Sequence, residues 1–232
     1  MFHKCVCCVF ATVMLVIAVV GTGCGVDTVD EYFDPPKSDG HIVHWNTADR
    51  IQHYYSFYTT EVNSGSEVVF LGTDVYYKIY TNASSIDSIT NSVSAQSENA
   101  QLSYLKGRGY KTLLLQGTTP FPLIKSTGSN RRVEIRLASY SLYERKVKIG
   151  SSEVGIPWRN SVNAGFQFGS GSGADVRPAN GDTDCSVASS ADTYYVDAYA
   201  VSIGRNTSDS TTYYSSVLHL GVIPISYPWT LN

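Results

Sequence analysis

The sequence predicts an all-β domain held outside the cytoplasm, interrupted by one helix and one long Gly/Ser-rich loop. Three observations carry that expectation. Segments of alternating β-branched and aromatic residues recur from His53 onward, as in "DVYYKIYT" (74–81) and "TYYVDAYAVSI" (193–203). Tyrosine is abundant, at 17 residues, with doublets at 54–55, 76–77, 194–195 and 213–214. The chain also opens on Lys4 and an apolar run, "CVCCVFATVMLVIAVV", that ends in small residues, the layout of a secretory signal peptide.

The N-terminal run, Cys5 to Val20, is 16 residues long, short of the ~20 that a spanning helix needs, though "GTGCGV" extends it to 22 uncharged residues and leaves an uncleaved anchor or plain secretion as alternatives to lipidation. Gly21, Thr22 and Gly23 suit a peptidase at the membrane face and make a poor helix end to bury in lipid. "Gly-Thr-Gly-Cys" at 21–24 resembles the bacterial lipobox, with Gly21 where an aliphatic residue is usual, a departure that spirochaete-type lipoproteins tolerate. The resemblance implies a signal peptide over 1–23, a diacylglycerol thioether on Cys24 and acylation of the new N-terminus. It makes the lipid bilayer a partner through acylated Cys24. Gly25 follows the lipid cysteine, where an aspartate would retain a lipoprotein in the inner membrane. The expected address is therefore the cell envelope, in the outer membrane rather than the inner.

Residues 24–40, "CGVDTVDEYFDPPKSDG", are expected to form a flexible acidic tether, with Pro35-Pro36 extended. After processing, 16 basic residues face 20 acidic ones, and no basic cluster points to nucleic acid. Of the cysteines only Cys24 and Cys185 remain, so Cys185 has no disulfide partner within the chain and the core of residues 41–232 must hold the fold.

Strands are expected at 53–62, 67–72, 74–81, 110–116, 131–141, 145–150, 193–203 and 212–225. In 193–203, Tyr194, Val196, Ala198, Ala200 and Ser202 share the face expected to meet a core, and Tyr195, Asp197, Tyr199, Val201 and Ile203 share the other. Residues 84–105 lack Gly and Pro and place Ile86, Ile89, Val93 and Ala100 at roughly helical spacing. Ser84 or Ser85 can cap such a helix, and "KGRG" (106–109) ends it. "FGSGSGADVRPANGDTD" (168–184) reads as the long loop.

"VYYKIY" (75–80) is similar to the third strand of fibronectin type III and immunoglobulin-like domains, and "YYVDAYAV" (194–201) to the sixth, with 213–225 as the last strand beside it. The resemblance implies a β-sandwich but names no ligand.

Chemistry-bearing motifs are sparse. His41, His44 and His53 come nearest to a metal cluster, yet a strand would put His41 and His44 on opposite faces. Asn180, Asp182 and Asp184 alternate around Gly181 and Thr183, but the later glutamate of a calcium loop is missing, and an Asx-rich turn explains the pattern. No Gly-x-Ser-x-Gly and no phosphate-cradling loop occurs. No cofactor and no metal is expected. Outward tyrosines offer rigid amphipathic contact area, and Tyr77, Tyr195, Tyr199 and Tyr214 are the candidate binding surface. The expected function is a non-catalytic binding or interaction module with a protein or glycan ligand. The alternatives are an envelope enzyme or metal-dependent protein using the His41 region or the 168–184 loop, and a structural envelope subunit.

Overall fold

The computed structural model describes residues 33–61, 68–169, 173–186 and 191–230. The architecture is an all-β sandwich whose second sheet carries a helical hairpin on its outer face. The first sheet runs, in spatial order, β1 (Lys37–Ser38), β2 (Tyr55–Tyr58), β7 (Arg132–Arg136), β8 (Lys146–Ile149) and β9 (Ser152–Gly155), all antiparallel. The second is dominated by three long strands, β3 (Val68–Tyr80), β12 (Thr193–Asn206) and β13 (Thr212–Ser226). One edge of β3 pairs with β12. Its other edge is covered in succession by β11 (Cys185–Ser186), β4 (Lys111–Thr112) and β6 (Ile124–Lys125). A separate two-stranded ribbon joins β5 (Leu114–Leu115) to β10 (Pro157–Trp158).

The period-2 pattern explains the sandwich. Tyr55, Phe57, Val133, Ile135 and Val147 from the first sheet meet Val75, Tyr77, Ile79, Tyr194, Val196, Ala198 and Ala200 from the second. The face of β12 that alternation assigned to a core is thus the core face. Tyr55 reaches across the layers and donates its hydroxyl hydrogen to the Val196 carbonyl at 2.6 Å.

The other face of β12 departs from the expectation of a wet surface. Tyr76, Tyr80, Tyr199, Val201 and Val222 pack against Ile86, Val93, Leu102, Leu105 and Tyr110 in a second core. Two helices supply that cover instead of one, α1 (Ser84–Ser94) and α2 (Glu98–Gly107). They part at 95–97, where Ser97 turns extended (ψ 149) and Glu98 opens the next first turn. Neither Ser84 nor Ser85 caps α1; Asn82 Oδ1 accepts from the Ser84 N–H at 3.0 Å. The end of α2 is a Schellman turn. Gly109 is left-handed (φ 85), its N–H reaches the Lys106 carbonyl, and the Tyr110 N–H reaches the Leu105 carbonyl.

Two further expectations are corrected. Residues 33–40, expected in the tether, belong to the fold: Lys37 and Ser38 pair with Tyr58 and Phe57, and Phe33 packs with Val68 and Phe70. Gly204 makes that possible, because its bare backbone lies where a Cβ would stand 1.9 Å from the Phe33 ring. The described part of 168–184 is also more than a loop. Phe168 and Asp175 form a parallel bridge, Phe168 is fully buried, and β11 follows.

Candidate functional site

The β5–β10 ribbon builds an open cleft of about 440 Å³ at the edge of the second sheet. Trp158 stands opposite Leu114 in the ribbon register, so both project to one face, while Pro157 and Leu115 turn inward. The ends of the ribbon turn sharply. Gly117 (φ 75) lets Thr118 return its N–H to the Leu115 carbonyl, and the Arg159 N–H closes on the Ala164 carbonyl. These turns bring Thr118, Thr119, Asn160 and Asn163 to the cleft that Trp158 also lines, with Asn163 bonded to the Trp158 indole.

Arg159 forms the wall behind the cleft and is the largest fully buried side chain of the described residues. Its Nε and Nη2 grip the Asp184 carboxylate at 3.0 and 2.8 Å, and Nη2 also reaches Asp182 at 2.8 Å. Tyr77 donates to Asp184 at 2.6 Å and accepts the Asn160 N–H at 2.7 Å. Burial opposes the Arg159 charge, but the two carboxylates overcome it and raise its pKa above the ordinary guanidinium value. Burial and the Asp184 charge push the Tyr77 phenol well up, so it acts as a neutral hydrogen-bonding group. The bidentate guanidinium is an internal counter-ion that ties β10 and β11 to β3.

This explains the Asn180–Asp184 stretch. Asp182, Asp184 and Cys185 are the one acidic and thiol group of metal-ligand spacing among the described residues. Arg159 already occupies the carboxylates, so the donor set fits a guanidinium and not a hard dication. Burial followed by the Asp184 and Asp182 charges pushes the Cys185 thiol up to about 12. The histidines do not converge either. His41 bonds the Tyr54 carbonyl at 3.0 Å and stacks on that ring, His53 bonds the Thr47 carbonyl at 2.8 Å, and His44 is exposed.

The four tyrosines of the expected binding surface do not form one. Tyr77 is 1% exposed and faces the inter-sheet core against Phe166, because the even-numbered face of β12 pairs with the odd-numbered face of β3. Tyr199 is 2% exposed beneath the helical hairpin. Tyr195 and Tyr214 are half-buried and lie eight register positions apart along β12, the first beside Trp45 and the second under the Lys106 ammonium at 4.5 Å. The tyrosines serve the layers instead.

A buried polar chain runs through the second core. Tyr80 donates to Tyr110 at 3.2 Å and Tyr110 donates to Asp197, which is fully buried; His219 Nε2 meets the other Asp197 oxygen at 2.7 Å. The His219 ring stacks on Tyr199 at 4.7 Å. Burial, reinforced by the Asp197 charge, raises the Tyr110 and Tyr199 phenols far above their ordinary values. Alternation marks Asp197 as a member of the tyrosine face but contains no signal for its partner His219.

Trp158, Arg159, Asn160 and Asn163 were not singled out by sequence reasoning. The available signal was "PWRNSVN" (157–163), a tryptophan set among neutral amides and hydroxyls directly after a proline. Cys24 lies outside the described residues. Comparison with known protein families, curated proteins and solved structures found no match for this chain.

Proposed function

We propose that the chain is a bacterial lipoprotein of the cell envelope, anchored through acylated Cys24, whose immunoglobulin-like domain is a non-catalytic binding module. The observation that carries the binding reading is the Trp158 cleft, an open site with neutral hydrogen-bonding groups on a ribbon pinned by a buried arginine. The residues on which an enzymatic or metal-dependent alternative rested are engaged by the fold itself: His41 and His53 by backbone carbonyls, Asp182 and Asp184 by Arg159. The neighbour relation β3-β12-β13 supports the family resemblance, since an immunoglobulin-like sandwich sets its third, sixth and last strands together.

The anchor is tested by mass spectrometry of the mature N-terminus and by detergent phase partition. Wild type is expected to begin at Cys24 with diacylglycerol and an added acyl chain, and to enter the detergent phase. Cys24→Ser is expected to lose both modifications and enter the aqueous phase. A mature chain that starts at Met1 with an unmodified thiol overturns the anchor. Hydrolysis of a glycan, peptide or ester that disappears in His219→Ala overturns the non-catalytic reading.

A further inference from the structure

We propose that the Trp158 cleft is a saccharide site that takes one ring of a neutral glycan. This rests on the binding-module reading and names its ligand class. Four features of the cleft select that class together.

The first is an aromatic platform fixed before any ligand arrives. The Trp158 ring lines the cleft, its Nε1–H donates to Asn163 Oδ1 at 3.1 Å, and Leu114 stands beside it across the ribbon. A sugar ring presents C–H groups on its faces and hydroxyls around its rim, so it needs one flat apolar surface with polar groups at the edge. The second is the set of hydrogen-bonding valences left at that edge. Asn160 Nδ2 is spent on the Thr112 carbonyl and hydroxyl, which leaves Oδ1 to accept. Asn163 Oδ1 is spent on Trp158, which leaves Nδ2 to donate, and the hydroxyls of Thr118 and Thr119 sit on the exposed lip. Alternating donors and acceptors match hydroxyl groups, which are both.

The third feature is charge. Arg159 is the one charged residue in the lining, and its guanidinium is turned to Asp184, Asp182 and the Val176 carbonyl with the side chain fully buried. The cleft presents no uncompensated charge, which selects against uronic or sialic acids. The fourth is shape. The volume of about 440 Å³ lies within the range of small-molecule sites. A proline-rich peptide needs a groove with several aromatic ridges, whereas this cleft has a single ring. Both amides are already held, and the Asn160 backbone is bonded to the buried Tyr77 hydroxyl, so binding orders few side chains.

The test uses the full chain in a micelle of an alkyl amine oxide, a detergent without a sugar head group. The probes are maltotetraose, chitotetraose and mannotetraose, with tetragalacturonate and decaproline as the competing chemistries. Tryptophan fluorescence and calorimetry are the readouts. At least one neutral tetrasaccharide is expected to bind with millimolar or tighter affinity. Trp158→Ala is expected to weaken that binding at least tenfold. The Thr118→Val/Thr119→Val double variant, altered only on the exposed lip, is expected to weaken it severalfold with an unchanged melting temperature. Neutral-sugar binding that survives both sets of changes overturns the assignment, as does binding of none of the three sugars or of tetragalacturonate alone. Decaproline binding lost in Trp158→Ala overturns the saccharide class while leaving a binding module in place. None of these outcomes bears on the N-terminal mass that tests the anchor.

Discussion

Asp74 on β3 faces the helical hairpin at 2% exposure, with unequal fates for its two carboxylate oxygens. One accepts the Leu123 N–H at 2.6 Å; the other is buried with no partner. Burial raises its pKa from 3.8 to about 6, against the smaller opposing pulls of the Leu123 N–H and the Lys106 charge. Tyr76 and Tyr214 are the other titratable groups that feel it. The folded pKa is above the unfolded one, so the native state binds the extra proton between pH 3.8 and about 6. The stability from this group is full below that window and declines as pH rises through it. A shift of this size corresponds to about 3 kcal/mol. Asp74→Asn keeps an acceptor for Leu123 and cannot ionise. In urea denaturation it is expected to match wild type at the acid end of the window and to be more stable at neutral pH, by about 1–3 kcal/mol. Parallel stability curves for the two proteins would refute this role. Nothing in "GTDVYY" (72–77) announces such a carboxyl, because its burial is imposed by a helix and a strand distant in sequence. Arg159 is hidden for the same reason: its partner carboxylates are 23 and 25 residues away, and only the fold brings them together.

At the scale of elements, the long strands were legible and their coverings were not. Alternation located β2, β7, β8, β12 and β13 because each has an apolar face against the inter-sheet core. It read 67–72 and 74–81 as two segments, whereas β3 runs unbroken from Val68 to Tyr80 through Gly72. A Cβ at Gly72 would stand 2.0 Å from the Ile124 carbonyl oxygen, so that glycine marks close approach of β6 rather than a turn. The helical region was recognised from its spacing, but 95–97 contain neither Gly nor Pro, and one helix was the natural reading of two. The N-terminal arm was missed because Pro35, Pro36 and five acids outweigh its one aromatic packing residue among those described, Phe33. That arm yields a direct test. Gly204→Ala puts a methyl group into the Phe33 ring, and overpacking of this kind costs about 1–3 kcal/mol. The expected outcome is a lower melting temperature together with chymotryptic cleavage after Phe33 that wild type resists. A variant as resistant as wild type would show that the Phe33 contact does not hold the arm.

The whole molecule has a direction set by where its chain enters. Phe33 packs at the start of β3, beside Val68, Phe70 and Gly204, and the β12–β13 turn at 207–210 lies at that same end. Ser186 pairs with Tyr80 at the far end, and the Tyr77–Asn160 contact at the cleft lies close to it along the strand. The 13 residues of β3 span about 40 Å at ~3.3 Å per residue. Eight residues lie between Cys24 and Phe33, a reach of at most about 30 Å even when fully extended. With the lipid proposed on Cys24, a linker of that reach is expected to bias the entry end toward the bilayer and the cleft edge away from it. The prediction is read in proteoliposomes made from full-length protein carrying Cys185→Ser, with one fluorophore on Ser208→Cys or Ser186→Cys and a quencher on the lipid head groups. Ser208 is expected to be quenched more strongly than Ser186, and the difference is expected to shrink when a long Gly/Ser insert lengthens the chain between Cys24 and Phe33. Equal quenching without the insert, or stronger quenching at Ser186, would mean that the packed arm does not orient the domain. The cleft would then have no preferred side from which to meet its ligand.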